Sequence, residues 1–351
     1  MSTIQLTEKQ PWIDHLRATA TIAVVFLHVS APLIYQFGKV NASWWWVANV
    51  FNSCVRSSVP LFFMVSGTLL LPKEQELMLF LKKRFLRIIY PFLFWASIHI
   101  VMNLIFKIKT HEVSTFNDAL SNIGVKINSG IAFHYWYVFV IIGIYLFVPI
   151  IGKWARNSTR KELQYFLILW LTFTMLGLTS FSEFRYFNQL TYFFTGPIGY
   201  VVLGYYLTKF PIITKSNKNN LLLLITLLLS WSITMLGSYW LSYSLGKSNQ
   251  TFYWLFSPNV IIATICIFML FHQNNIQNSI INKALNWVSN YSYGIYLSHV
   301  LVLTALAAVR LNCMFMHPVI GILLTVILCV SLSGLMVFIV RRLPLGKYIS
   351  G

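Results

Sequence analysis

An arginine and a histidine interrupt the first long apolar run of the chain, Trp12 to Leu33: Arg17 and His28. On a helix of about 100° and 1.5 Å per residue they fall on nearly one face, about 16 Å apart along the axis. Ionisable groups inside an apolar span are costly and face a cavity or a partner, so the pair marks a functional site. A neutral imidazole is suited to take a proton from a hydroxyl, because its ordinary pKa is close to the working pH. A guanidinium is suited to phosphate through its planar fork of donors.

Other residues extend this chemistry. Arg56 lies inside the next apolar run, NSCVRSSVPLFFMVSG. Counted back from Leu71 it is about 22 Å deep, level with His28, which is about 24 Å from the start of its own helix. It can tie to helix carbonyls or hold an anionic or polar ligand beside His28, and as an oxyanion partner it joins the catalytic candidates. Ser66 and Gly67 end that run after Pro60, a pattern of kinks and close helix contacts; no strand-turn-helix context makes Ser66 a nucleophile elbow. Arg84 and Arg87, in KKRFLRIIYP, are one helical turn apart and can point the same way toward phosphate. His134, Trp136 and Tyr137 open a later span as interface aromatics do, or as a platform for a sugar. His299, in SNYSYGIYLSH, has the position of a hydrogen-bonded core histidine, with a substrate contact as the second reading.

The elements that must position these residues are membrane helices. Of 351 residues, 57% are hydrophobic and 10% charged, and apolar runs long enough to cross a bilayer recur from end to end. The pattern predicts an all-α polytopic protein with ten spans around a polar cavity: 12–35, 44–71, 83–106, 131–151, 163–181, 189–207, 220–244, 253–272, 287–310 and 317–341. The first run is expected to be retained rather than cleaved as a signal peptide. Trp44, Trp45 and Trp46 open the second span as an aromatic belt would. The longest connection, 107–130, is expected to be a modestly polar external loop, and one membrane domain takes up the chain.

The net charge of +18 is carried in short connections between apolar runs. It points to topology, anionic lipid headgroups or anionic ligands, and not to nucleic acid. With ten spans, 18 of the 26 Lys and Arg fall on the side of both termini, against Lys39, Lys107, Lys109, Lys126, Arg185, Lys247 and Arg310 opposite. Both termini are then cytoplasmic. Cys54, Cys266, Cys313 and Cys329 are scattered without a CxxC pair, which indicates neither a disulfide framework nor a metal site.

Taken together, the R-x10-H first span, PLFFMVSG, RFLR and SYGIYLSH resemble the acyltransferase-3 family of membrane acyltransferases. WIDHLR, VPLFFMVSG and FHYW are most similar to its branch that O-acetylates N-acetylglucosamine in enterobacterial common antigen. The resemblance implies transfer of acetyl from acetyl-CoA to a hydroxyl of an envelope glycan or lipid-linked sugar, in a bacterial inner membrane. It implies Arg17 and His28 as an essential pair and Arg84 and Arg87 as the coenzyme A end, with Arg17 beside them. The extracytoplasmic hydrolase-like domain of some members has no counterpart in the sequence, so transfer is expected within the membrane domain or with a partner. Two other functions compete: a transporter or flippase with His28, Arg56 and His299 along its path, and the same enzyme moving another acyl group such as succinyl. The first is opposed by the near absence of acids from the spans and of any repeated half.

Overall fold

The computed structural model describes residues 10–177, 196–274 and 276–351. Among them there are helices and no strands. Seven helical stretches are long and apolar enough to cross a membrane, or eight if one broken pair counts as a span. The polytopic all-α expectation holds. The spans expected at 163–181 and 189–207 run into residues 178–195, outside the described residues, as do Lys9 and Arg185 of the charge count.

The chain divides into two compact units, interleaved in sequence: residues 1–74, 150–290 and 310–328 in the first, and 75–149, 291–309 and 329–351 in the second. The first unit holds α1 (Pro11–Ile34), α2 (Ala42–Val55), α3 (Ser58–Leu70), α7 (Arg160–Leu176), α8 (Ile198–Lys209), α9 (Asn217–Leu245), α10 (Pro258–Gln273) and α11 (Ser279–Asn290). The second holds α4 (Leu77–Lys109), α5 (Phe116–Asn128), a 3-10 turn at Phe133–Tyr135, most of α6 (Trp136–Asn157), α12 (Ser292–Ala308) and the short α14 (Gly346–Ile349). Helix α13 (Pro318–Arg342) begins in the first unit and ends in the second.

Helix α9 shows what solvent the fold expects. It exposes Leu221, Leu228, Leu236 and Trp240 and buries Ser230, Thr234, Ser238 and Ser242, four residues apart along one face. A soluble helix would be arranged the other way round. Small hydroxylated residues at the helix contact and leucines outward are the pattern of a helix in lipid, where close backbone approach drives packing. Glycines do the same between α3 and α8: a Cβ on Gly67 would lie 1.8 Å from the Val201 carbonyl oxygen, and one on Gly204 2.2 Å from that of Met64. The close contact expected at Gly67 is present.

Prolines remove helix hydrogen bonds in three spans. Pro60 has no N–H to give the Arg56 carbonyl, and the second span breaks at Arg56–Ser57 into α2 and α3. Pro32 likewise brings no N–H to the carbonyl of His28, and Pro91 none to that of Arg87. Arg156 donates from Nη1 to the carbonyls of Leu71 and Lys73, both 3.0 Å, and so caps the end of α3.

Three expectations need correction. The 107–130 connection is not a plain loop: Thr115 and Asp118 form a reciprocal capping box that starts α5, whose Phe116, Leu120 and Ile127 are exposed. The span expected at 287–310 is two helices, α11 and α12, interrupted at Tyr291. Asn290 and Ser292 flank that break, and short polar side chains of this kind compete with helix hydrogen bonds. Trp45 is no belt residue: it is buried and donates its indole N–H to the Ile34 carbonyl, 3.2 Å away.

Candidate active site

In the first unit, α1 carries Arg17 and His28 without a break between them, so the shared face and the rise of about 16 Å stand. Arg17 is half-buried. Its Nη1 donates to Asp14 Oδ1 at 3.1 Å and to the Ser289 hydroxyl at 3.3 Å, and that hydroxyl donates to the same Asp14 oxygen at 3.0 Å. Asp14 reaches Arg17 because residues three apart share a helix face; Ser289 comes from α11, 272 positions away. The guanidinium is therefore aimed from two sides. His28, eleven residues on, is partly exposed.

Arg56, at the kink between α2 and α3, is part of a polar network. One terminal nitrogen, Nη2, donates to Asn52 Oδ1, the other reaches the Tyr253 carbonyl at 3.5 Å, and the guanidinium carbon lies 4.0 Å from the centre of the Tyr253 ring. Asn52 donates onward to the Ser30 hydroxyl, 2.8 Å, and the Leu27 carbonyl, 3.2 Å, both on α1. Tyr253 donates to Asn49 Oδ1, and Asn49 donates to the Met235 carbonyl of α9 at 3.0 Å. Since Asn52 meets α1 at Leu27 and Ser30, the Arg56 backbone stands one turn nearer the N-terminal end of α1 than His28, and its guanidinium reaches back to Asn52. Both terminal nitrogens of Arg56 have protein acceptors, and Nε faces none among the described residues. Asn49, Asn52 and Tyr253 were not singled out from sequence. Asn49 and Asn52 inside an apolar span, three residues apart, were the available signal. Ser66, on α3, donates to the Phe62 carbonyl at 2.9 Å, as a packing serine does.

The second unit holds the remaining residues. Arg84 and Arg87 share α4 but differ in exposure: Arg84 is half-buried, 5.8 Å from the centre of the Phe80 ring, and Arg87 is exposed. His134 and His299 come together, ring centres 4.8 Å apart, both buried. Tyr137 lies against Tyr296 at 5.4 Å, and Trp136 is 44% exposed, outside the cluster. His99 of α4, which sequence reasoning passed over, is the third imidazole, 5.6 Å from His134.

Among the described residues, helices long and apolar enough to cross a membrane carry an imidazole and guanidinium groups. The chain belongs to the acyltransferase-3 family: the family model, described as an acyltransferase domain, matches residues 10–334. The protein is thus a membrane acyltransferase. No curated protein and no solved structure matches it.

Proposed function

We propose that this acyltransferase moves an acetyl group from cytoplasmic acetyl-CoA to a hydroxyl of an envelope glycan or lipid-linked sugar. The acceptor class is that of the branch acetylating N-acetylglucosamine in enterobacterial common antigen, and the setting is a bacterial inner membrane with both chain ends cytoplasmic. The observation that carries the reading is the Arg17–His28 face of α1 in a chain of this family. Its length of about 16 Å is comparable to an extended pantetheine arm, so a thioester can lie at His28 with its nucleotide phosphates toward Arg17.

In the proposed step the acceptor oxygen attacks the thioester carbonyl carbon and its proton passes to the His28 imidazole. The carbon–sulfur bond breaks, and the thiolate leaves as coenzyme A after taking that proton. Arg56 stands near enough in depth to stabilise the developing oxyanion, with its Nε–H as the donor. Arg84 and Arg87 hold donor phosphates, and His134, Trp136, Tyr137, His299 and Ser66 are acceptor-side candidates.

Calorimetry of acetyl-CoA on the purified full-length protein tests the donor: binding is expected, and no binding to the wild type removes acetyl-CoA. Replacing both Arg84 and Arg87 by Ala is expected to raise the KM for acetyl-CoA about tenfold or more; an unchanged KM removes them from the donor site.

A further inference from the structure

Three histidines from three elements meet inside the second unit: His99 on α4, His134 on the 3-10 turn and His299 on α12. His99 is 9% exposed, and the other two are less exposed still. His299 Nδ1 lies 2.7 Å from the Tyr296 carbonyl; a carbonyl only accepts, so that nitrogen carries the proton. His99 Nε2 is buried and has no hydrogen-bond partner among the described residues. A hydroxyl serves such a nitrogen in either tautomer, donating to its lone pair or accepting from its N–H.

Three neighbouring tyrosines direct their hydroxyls elsewhere. Tyr135 donates to the Leu297 carbonyl at 3.1 Å, Tyr293 to that of Ile88 at 3.0 Å, and Tyr296 to that of His134. Their rings remain as walls: Tyr135 stands 5.2 Å from His99, and Tyr296 5.5 Å from His134. No three His, Cys, Asp or Glu among the described residues are arranged to hold a metal ion. The complement to an unpartnered imidazole nitrogen beside aromatic faces is a neutral group that exchanges a hydrogen bond and stacks on rings, which a sugar hydroxyl and its ring do.

We propose that His99, beside His134 and His299, is a hydroxyl-binding subsite for the saccharide acceptor, its Nε2 hydrogen-bonded to one acceptor hydroxyl. This rests on the acyl-transfer reading above and assigns His99 a task in it. The probe is the octyl β-glycoside of N-acetylglucosamine, added to the full-length protein in nanodiscs, with two readouts. One is sugar binding without donor, by saturation-transfer NMR; the other is steady-state transfer from acetyl-CoA. His99→Phe is expected to abolish the saturation-transfer signal and raise the KM for the glycoside about tenfold, with acetyl-CoA binding unchanged. His99→Gln, whose amide oxygen can reach the place of Nε2, is expected to recover most of both. Lack of glycoside binding by the wild type overturns the subsite, as does a KM that His99→Phe leaves unchanged. Equal loss of acetyl-CoA binding in both variants also overturns it, because that is the mark of a structural role. Wild type that binds the glycoside in a His99-dependent way, yet transfers no acetyl, keeps the subsite and rejects the acetyl-transfer reading.

Discussion

Buried polar groups are handled differently in the two units. In the first, side chains bond one another across helices: Arg56 to Asn52, Asn52 to Ser30, Tyr253 to Asn49, Asn259 to Thr234. Donors and acceptors alternate, so the network ties α1, α2, α9 and α10 together. In the second, tyrosine hydroxyls and the His299 Nδ1 are directed at main-chain carbonyls, and the His99 Nε2 is buried without a partner among the described residues. The first network fixes helix packing and leaves the Arg56 Nε without a partner among the described residues; the second leaves the His99 Nε2 so.

Substitutions in the first unit sharpen or break this contrast. The largest effect is expected at His28: His28→Ala should lower acetyl transfer by about 10²- to 10⁴-fold, with thermal unfolding in detergent little changed. Near-normal transfer by purified His28→Ala would show that the base lies elsewhere. Next comes Arg56→Met, which leaves Asn52 and the Tyr253 carbonyl without their donor and should cost about 3 kcal/mol of stability. Thermal unfolding reads this directly. A loss of rate at unchanged stability would show that Arg56 serves as the oxyanion donor without holding the helices together. Gly67→Ala should cost about 1–3 kcal/mol, because the new methyl meets the Val201 carbonyl; a variant as stable as wild type would mean that α3 and α8 pack less closely. The smallest expected effect is at Ser289→Ala, about a threefold rise in the KM for acetyl-CoA through a less firmly held Arg17. Ser289→Thr, which keeps the hydroxyl, should restore it.

Much of the helical frame was legible in the residues. Apolar runs announced α1, α4, α6, α9, α10 and α13 to within a few residues, since a bilayer requires long uninterrupted apolar stretches. Pro60 announced the kink at Arg56, and Gly67 the close contact with α8. The prolines four residues after His28 and Arg87 were readable as positions where a helix carbonyl loses its donor, and α1 and α4 run on through them. Helix α5 was missed because its apolar residues are spaced for one face and do not form a run. The break at Tyr291 was missed because hydropathy averages across it.

By itself the sequence determined which residues share a helix face, because the helical repeat is local: Arg17 with His28, Asp14 with Arg17, Arg84 near Arg87. Tertiary structure alone decided which faces meet. Ser289 reaches Arg17 from 272 residues away, Tyr253 lies under Arg56, and His99 joins His134 and His299. Those partners are chosen by the packing of helices distant in sequence, where close backbone approach and paired polar groups outweigh any local preference. Periodicity along one helix carries no record of its neighbour.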